Sequence, residues 1–169
     1  MYFVAAFIAE RSNLENSFKR IGQDFIVDLG FKSFAMIPIA DQVDVIIREH
    51  CNIRADDIGL ASNFYEKDIE MIIRRLANPI DAGKFAFVST DSFGGPPHYE
   101  SIALAFDQGR ASIFNRDDAP WPDTNVSMAL KAIGVPEKLD KRLDAFDVLG
   151  LGRFRTSNEW LESSRAPRT

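Results

Sequence analysis

Residues 2–9 are apolar on both alternating faces: Phe3, Ala5 and Phe7 point one way, Val4, Ala6 and Ile8 the other. A strand of that kind is buried on both sides, so it is expected at the centre of a sheet. Ser12-Asn13-Leu14-Glu15 has the form of a capping box, and Leu14, Phe18, Ile21 and Phe25 follow at helical spacing, with Gly22 weakening the end. Phe31 to Ile39 reads as a second strand. Asp41 is placed to cap a short helix with Val43, Ile46 and Ile47 inward, and residues 52–62 read as a loop. Asn63 and Glu66 open a helix whose stripe is Ile69, Ile72, Ile73 and Leu76, and Asn78-Pro79 ends it.

Lys84 to Thr90 is again apolar on both faces and predicts a strand. After the loop Phe93-Gly94-Gly95-Pro96-Pro97-His98, Ile102, Leu104 and Phe106 alternate with smaller residues. Gln108-Gly109 makes a tight turn and Ala111 to Asn115 returns, which predicts a hairpin. Arg116 to Asp123 is a polar loop holding Trp121. Asp123 or Thr124 caps a helix with Val126, Ala129, Leu130 and Ile133 on one face, and Gly134 closes it. Pro136 is expected to start a further helix burying Leu139, Leu143 and Phe146. The chain ends in a short helix around Trp160 and Leu161.

The order β α β α α β β β α α α, with a hairpin in the middle and partly segregated helices, points to an α+β fold. The expectation is a single domain over 1–163 with a flexible tail at 164–169. Its sheet is mixed or antiparallel, of about five strands with helices packed on it, and its C-terminal part is helical. No segment repeats and no linker divides the chain.

Composition sharpens this picture. The 169 residues are 46% hydrophobic and include 14 Phe, enough for one core without disulfides, and Cys51 is the single cysteine. A net charge of −5 argues against a nucleic-acid surface. Only the stretch after Leu151 is locally basic, where Arg153, Arg155, Arg165 and Arg168 outnumber Glu159 and Glu162, and it reads as a solvated tail. The apolar N-terminus has no basic lead and is too short for a bilayer, which takes about 20 residues. A cytoplasmic protein without membrane contact is expected.

No motif specifies a chemistry. His50 neighbours Cys51, but adjacent helical residues do not face each other, and His50 shares the apolar face with Val43. It reads as a partly buried structural histidine. A nucleophile elbow is missing. The pairs Asp56-Asp57 and Asp117-Asp118 read as solvated turn formers. Gly94-Gly95 has neither the lysine nor the helix of a phosphate loop. Asp91, His98 and Glu100 are near enough in sequence to converge on a divalent ion, which gives the alternative reading: a small-molecule-binding or metal-assisted enzyme using the 91–100 loop. Otherwise no catalytic residue, metal or cofactor is indicated.

Two features suit contact with a partner. The loop carrying Phe93, Gly94, Gly95, His98 and Tyr99 is stiffened by two prolines and costs little entropy to immobilise. Trp121 is of the type that anchors interfaces, although a tryptophan between prolines also suits the edge of its own core.

Three stretches together resemble a known group. Phe85-Ala86-Phe87-Val88 leads to Phe93-Gly94-Gly95 and the strand Ile102–Phe106. Asn125 to Val135, ending Ile133-Gly134-Val135, resembles a following helix that ends in L-G-V. Phe146-Asp147-Val148-Leu149-Gly150-Leu151-Gly152-Arg153-Phe154-Arg155-Thr156-Ser157-Asn158-Glu159-Trp160 has the form F-D-x-L-G-L-G-x-x-R-[ST]-x-x-x-W. In this order they resemble a group of small bacterial proteins, some similar to immunity proteins that neutralise a toxin. The resemblance implies a bacterial cytoplasmic protein-binding module with a protein partner, a toxin in those members, and no catalytic residue. Where the group often continues F-G-G with V-G-x-Q, this chain has Pro96-Pro97-His98-Tyr99, which, if the loop carries function, implies a different partner or none of the group's expected activity. The terminal signature also has an architectural reading: Gly150 and Gly152 allow a bend, Phe154 and Trp160 pack back, and Arg155 caps carbonyls or meets an acid.

Overall fold

The computed structural model describes residues 2–53, 66–77, 83–92, 100–116, 119–138 and 141–165. The strands are β1 (Tyr2–Glu10), β2 (Val27–Asp28), β3 (Phe34–Pro38), β4 (Phe85–Ser92), β5 (Glu100–Asp107) and β6 (Arg110–Phe114). The helices are α1 (Arg11–Ser17), α2 (Asp41–Cys51), α3 (Glu66–Leu76), α4 (Asn125–Ala132), α5 (Ala145–Leu149) and α6 (Ser157–Arg165). Among the described residues the strands form one open sheet in the order β2-β3-β1-β4-β5-β6, and every neighbouring pair is antiparallel. This is the α+β architecture the pattern predicts, with β1 central as expected. The sheet has six strands rather than about five, because β2 was too short to leave a periodic signal. No described helix is long and apolar enough to cross a membrane.

The two-faced pattern of β1 sorts the core into two layers. Ala5, Phe7 and Ala9 face a cluster with Leu14 of α1, Val43, Ile47 and Cys51 of α2, and Ile72, Ile73 and Leu76 of α3. Val4, Ala6 and Ile8 face the other cluster, with Val126, Ala129 and Leu130 of α4, Phe146 and Leu149 of α5, and Trp160 and Leu161 of α6. The sheet is therefore sandwiched between N-terminal and C-terminal helices. On the first face, Phe7 stacks on Phe18 at 4.5 Å and leans on Phe87 at 5.6 Å, while Phe18 meets Phe85 edge-on.

Several local expectations give way to tertiary partners. Helix α1 begins at Arg11 without a side-chain cap and stops at Ser17. Phe18 and Ile21 keep their buried places in a turn, and Phe25 follows in a 3-10 turn. Gly22 sits at φ 98°, a conformation that favours glycine. Strand β3 starts at Phe34, because the Phe31–Phe34 turn brings β2 alongside it. Asp41 is the first residue of α2 rather than its cap. Its N–H donates to Asn158 Oδ1 (3.0 Å), and Asn158 Nδ2 donates to Asp41 Oδ2 (3.1 Å), so the cap comes from α6.

Other expectations hold. Thr124 caps α4 by accepting from Ser127 N–H. Gly134, at φ 100°, closes the helix: Val135 N–H donates to Leu130 O and Gly134 N–H to Lys131 O, the paired bonds of a Schellman end. Gln108 and Gly109 both have positive φ, 49° and 77°, as a two-residue hairpin turn requires. The helix expected from Pro136 is replaced. Lys138 and Leu143 pair as an isolated antiparallel bridge, and α5 starts only at Ala145, capped by Asp144. Ser164 and Arg165 complete α6, so only the last four residues of the expected tail lie outside the described ones.

Candidate functional site

The loop between β6 and α4 presents Trp121 to solvent. It is 44% exposed, and Ile113 on β6 is 42% exposed. Trp121 is thus partly exposed, with more than half of its surface covered by the protein. Its loop is held at both ends. Arg116 N–H donates to Asn125 Oδ1 and Asn125 Nδ2 donates to Arg116 O, each at 3.0 Å, so a buried side-chain amide replaces a strand partner beyond Phe114. Ala119 is buried within the loop. Asp123 forms an ion pair with Lys131 of α4, which also meets Glu137 at 2.9 Å. Burial pulls the Lys131 ammonium down, but the two carboxylates outweigh it and raise its pKa.

Strand β6 lies at the sheet edge. In a two-residue hairpin, hydrogen-bonded pairs alternate from the one flanking the turn, so Ala111 and Ile113 aim their N–H and C=O away from β5. No described strand pairs with that edge. Beside it lies a cleft of about 560 Å³ lined by Asp107, Gln108, Arg110, Ser112 and Ala132. A half-exposed tryptophan on a loop closed at both ends, and an edge strand unpaired among the described residues, are each features suited to binding. Ile113 was missed by sequence reasoning, because an apolar residue in an alternating strand reads as core unless the strand is known to be at an edge.

Phe93, Gly94, Gly95, His98 and Tyr99 lie outside the described residues, as do the pairs Asp56-Asp57 and Asp117-Asp118. The strands flanking positions 93–99 are described, and the ladder puts Asp91 opposite Glu100. Among the described residues no three His, Cys, Asp or Glu side chains gather as a metal site would require.

The nucleophile candidates are engaged elsewhere. Cys51 is buried, with its thiol 4.0 Å from Ile72 O. Burial pushes that thiol's pKa up, against the pull of Arg75 and Arg20. It is therefore a core thiol and not an activated one. His50 is exposed, which corrects the expectation of a partly buried histidine: the buried stripe of α2 runs Val43, Ile47, Cys51 and leaves position 50 on its solvent side.

Ser127 and Asp144 form a buried pair that no motif announced. Ser127 Oγ donates to Asp144 Oδ2 at 2.7 Å, and Asp147 N–H donates to Asp144 Oδ1 at 2.9 Å. Both carboxylate oxygens are used in joining α4 to α5, so the pair is a structural clasp.

The terminal signature is architectural. Thr156 Oγ1 accepts from Glu159 N–H, and Glu159 Oε2 accepts from Arg155 N–H. Ser157 Oγ accepts from Ala5 N–H and donates to Ala5 O, each at 3.1 Å, which completes the backbone of the central strand. Phe154 meets Trp160 edge-on at 4.8 Å. The cation over the Trp160 ring is Arg153, 6.0 Å from its centroid.

No family model matches the chain, and no curated protein or solved structure was found to match it.

Proposed function

We propose that this chain is a bacterial cytoplasmic protein that acts by binding another protein. The observation that carries this reading is Trp121: an aromatic side chain held in solvent by a loop tied down at both ends. Its exposed part is free for contact, and an aromatic side chain on a loop closed by hydrogen bonds loses little entropy on binding. Toxin neutralisation is the role the sequence resemblance favours. An acidic chain suits a basic toxin through electrostatic steering.

The test is titration against the products of neighbouring genes. Trp121→Ala is expected to leave stability within about 0.5 kcal/mol and to weaken the complex by about 30-fold, the effect of an interface hot spot. Failure of every neighbouring product to form a one-to-one complex with the wild-type chain would remove the reading.

A second reading is supported by the register that sets Asp91 opposite Glu100. Two carboxylates directly opposite repel unless a cation lies between them. On this reading Mn²⁺ or Mg²⁺ raises the melting temperature of the wild type and not of D91N/E100Q. Equal responses of the two proteins would end it.

A further inference from the structure

A basic patch forms from segments far apart in the sequence. Lys32 and Lys138 both place Nζ over the ring of Phe31, at 5.5 and 5.6 Å from its centroid, which keeps the two ammonium groups within about 11 Å of each other. Lys138 belongs to the small bridged turn that replaces the expected helix. Its N–H donates to Leu143 O, Leu143 N–H returns to Lys138 O, and Lys141 N–H also donates to Lys138 O. The turn carries Lys141 and Arg142, the latter at φ 55°. All four cations are exposed, and none has an ion-pair partner among the described residues.

Two acids beside the turn in sequence are occupied. Glu137 pairs with Lys131. Asp144 is buried against Ser127 and Asp147 N–H. With Asp140 counted, the patch still holds a surplus of three positive charges, and the rest of the chain then carries −8. Lys32 and Lys138 over one ring repel each other, Lys141 and Arg142 on the same short turn as Lys138 add to the local positive charge, and an anion relieves that cost. Phe31 is half-buried against the core, so its ring gives the cluster a fixed apolar floor.

We propose that the Phe31 patch docks an acidic segment of a protein partner. This rests on the reading of the chain as a protein-binding module and names the chemistry of what it binds. The charge distribution selects the occupant. The rest of the chain carries a net negative charge, so an extended polyanion such as a nucleic acid, reaching well beyond the patch, meets an unfavourable overall field. A short run of carboxylates spans only the patch.

The experiment uses the full chain, isotope-labelled, titrated with a capped hexaglutamate peptide at an ionic strength near 0.01 M, where the Debye length is about 30 Å. Saturable amide shifts are expected at Phe31, Lys32, Lys138, Lys141 and Arg142. K32E/K138E is expected to weaken binding about tenfold, and K19E, at an exposed lysine outside the patch, less than about twofold. Lys141→Glu provides a second variant should the double one misfold. Absent or scattered shifts, unchanged affinity in the patch variants, or tighter binding of a thymidine hexanucleotide would each overturn the proposal. A chain that ignores hexaglutamate yet binds a neighbouring gene product through Trp121 loses this inference and keeps the protein-binding reading. Hexaglutamate binding with no protein partner gives the reverse outcome.

Discussion

Trp160→Ala is expected to destabilise the domain by about 3–5 kcal/mol, the usual cost of truncating a buried aromatic. Trp160 is 1% exposed in the C-terminal layer, with Phe154 edge-on against it and Arg153 above the ring. The loss reaches beyond one cavity because α6 carries Ser157 and Asn158. The first completes the hydrogen bonding of Ala5 in the central strand, and the second caps α2. Loosening α6 exposes those backbone groups as well. Trp160→Phe is the informative companion. It keeps a ring in the site and removes an indole N–H that is buried without a hydrogen-bond partner among the described residues, so it should cost much less than alanine. Urea unfolding of the three proteins measures the difference. A Trp160→Ala midpoint within experimental error of wild type would mean that α6 contributes little to the fold.

Phe7→Ala should cost a similar amount, about 3–5 kcal/mol, and lower the urea midpoint by on the order of 2 M. Phe7 is fully buried in the middle strand, stacked on Phe18 and opposite Phe87 across the β1–β4 ladder. Through Phe18 it is connected to Phe85, which stacks on Phe106 of β5 at 4.9 Å. Removing it opens a cavity within this aromatic run, between Phe87 and Phe18, where strands hold the backbone and limit collapse. Phe7→Leu leaves most of the volume filled and should lose less than half as much. Phe7 and Trp160 lie in separate clusters on opposite faces of the sheet, so their effects should add. The additive loss of about 6–10 kcal/mol is comparable with the lower half of the roughly 5–15 kcal/mol usual for a domain. A double-variant loss clearly smaller than the sum of the two single losses would show that the two layers do not contribute independently.

The candidate site was only partly legible in the sequence. Trp121 stood out by residue type, but its exposure follows from the Arg116–Asn125 amide pair and the burial of Ala119, which no local pattern encodes. His50 shows the converse error. Helical spacing put it with Val43, yet the packing of α2 follows Val43, Ile47 and Cys51. The basic patch escaped notice because Lys32 and Lys138 are remote in the chain and meet only over Phe31.

By itself, the sequence determined the elements whose signal is local or periodic. The doubly apolar run at residues 2–9 required a central strand. The spacing of Ile72, Ile73 and Leu76 required an inward helix face, Gln108-Gly109 a tight hairpin, and Asp123 or Thr124 together with Gly134 the ends of α4, with Thr124 the cap in the fold. Tertiary structure decided whatever depends on a distant partner. Strand β2 exists because β3 offers it a ladder. Helix α2 starts at Asp41 because Asn158 satisfies its N–H. The Lys138–Leu143 bridge stands where Pro136 suggested a helix. The physical reason is the same in each case. Propensity and periodicity act over a turn or two of chain, whereas a backbone group withdrawn from water takes whichever partner the fold brings near it.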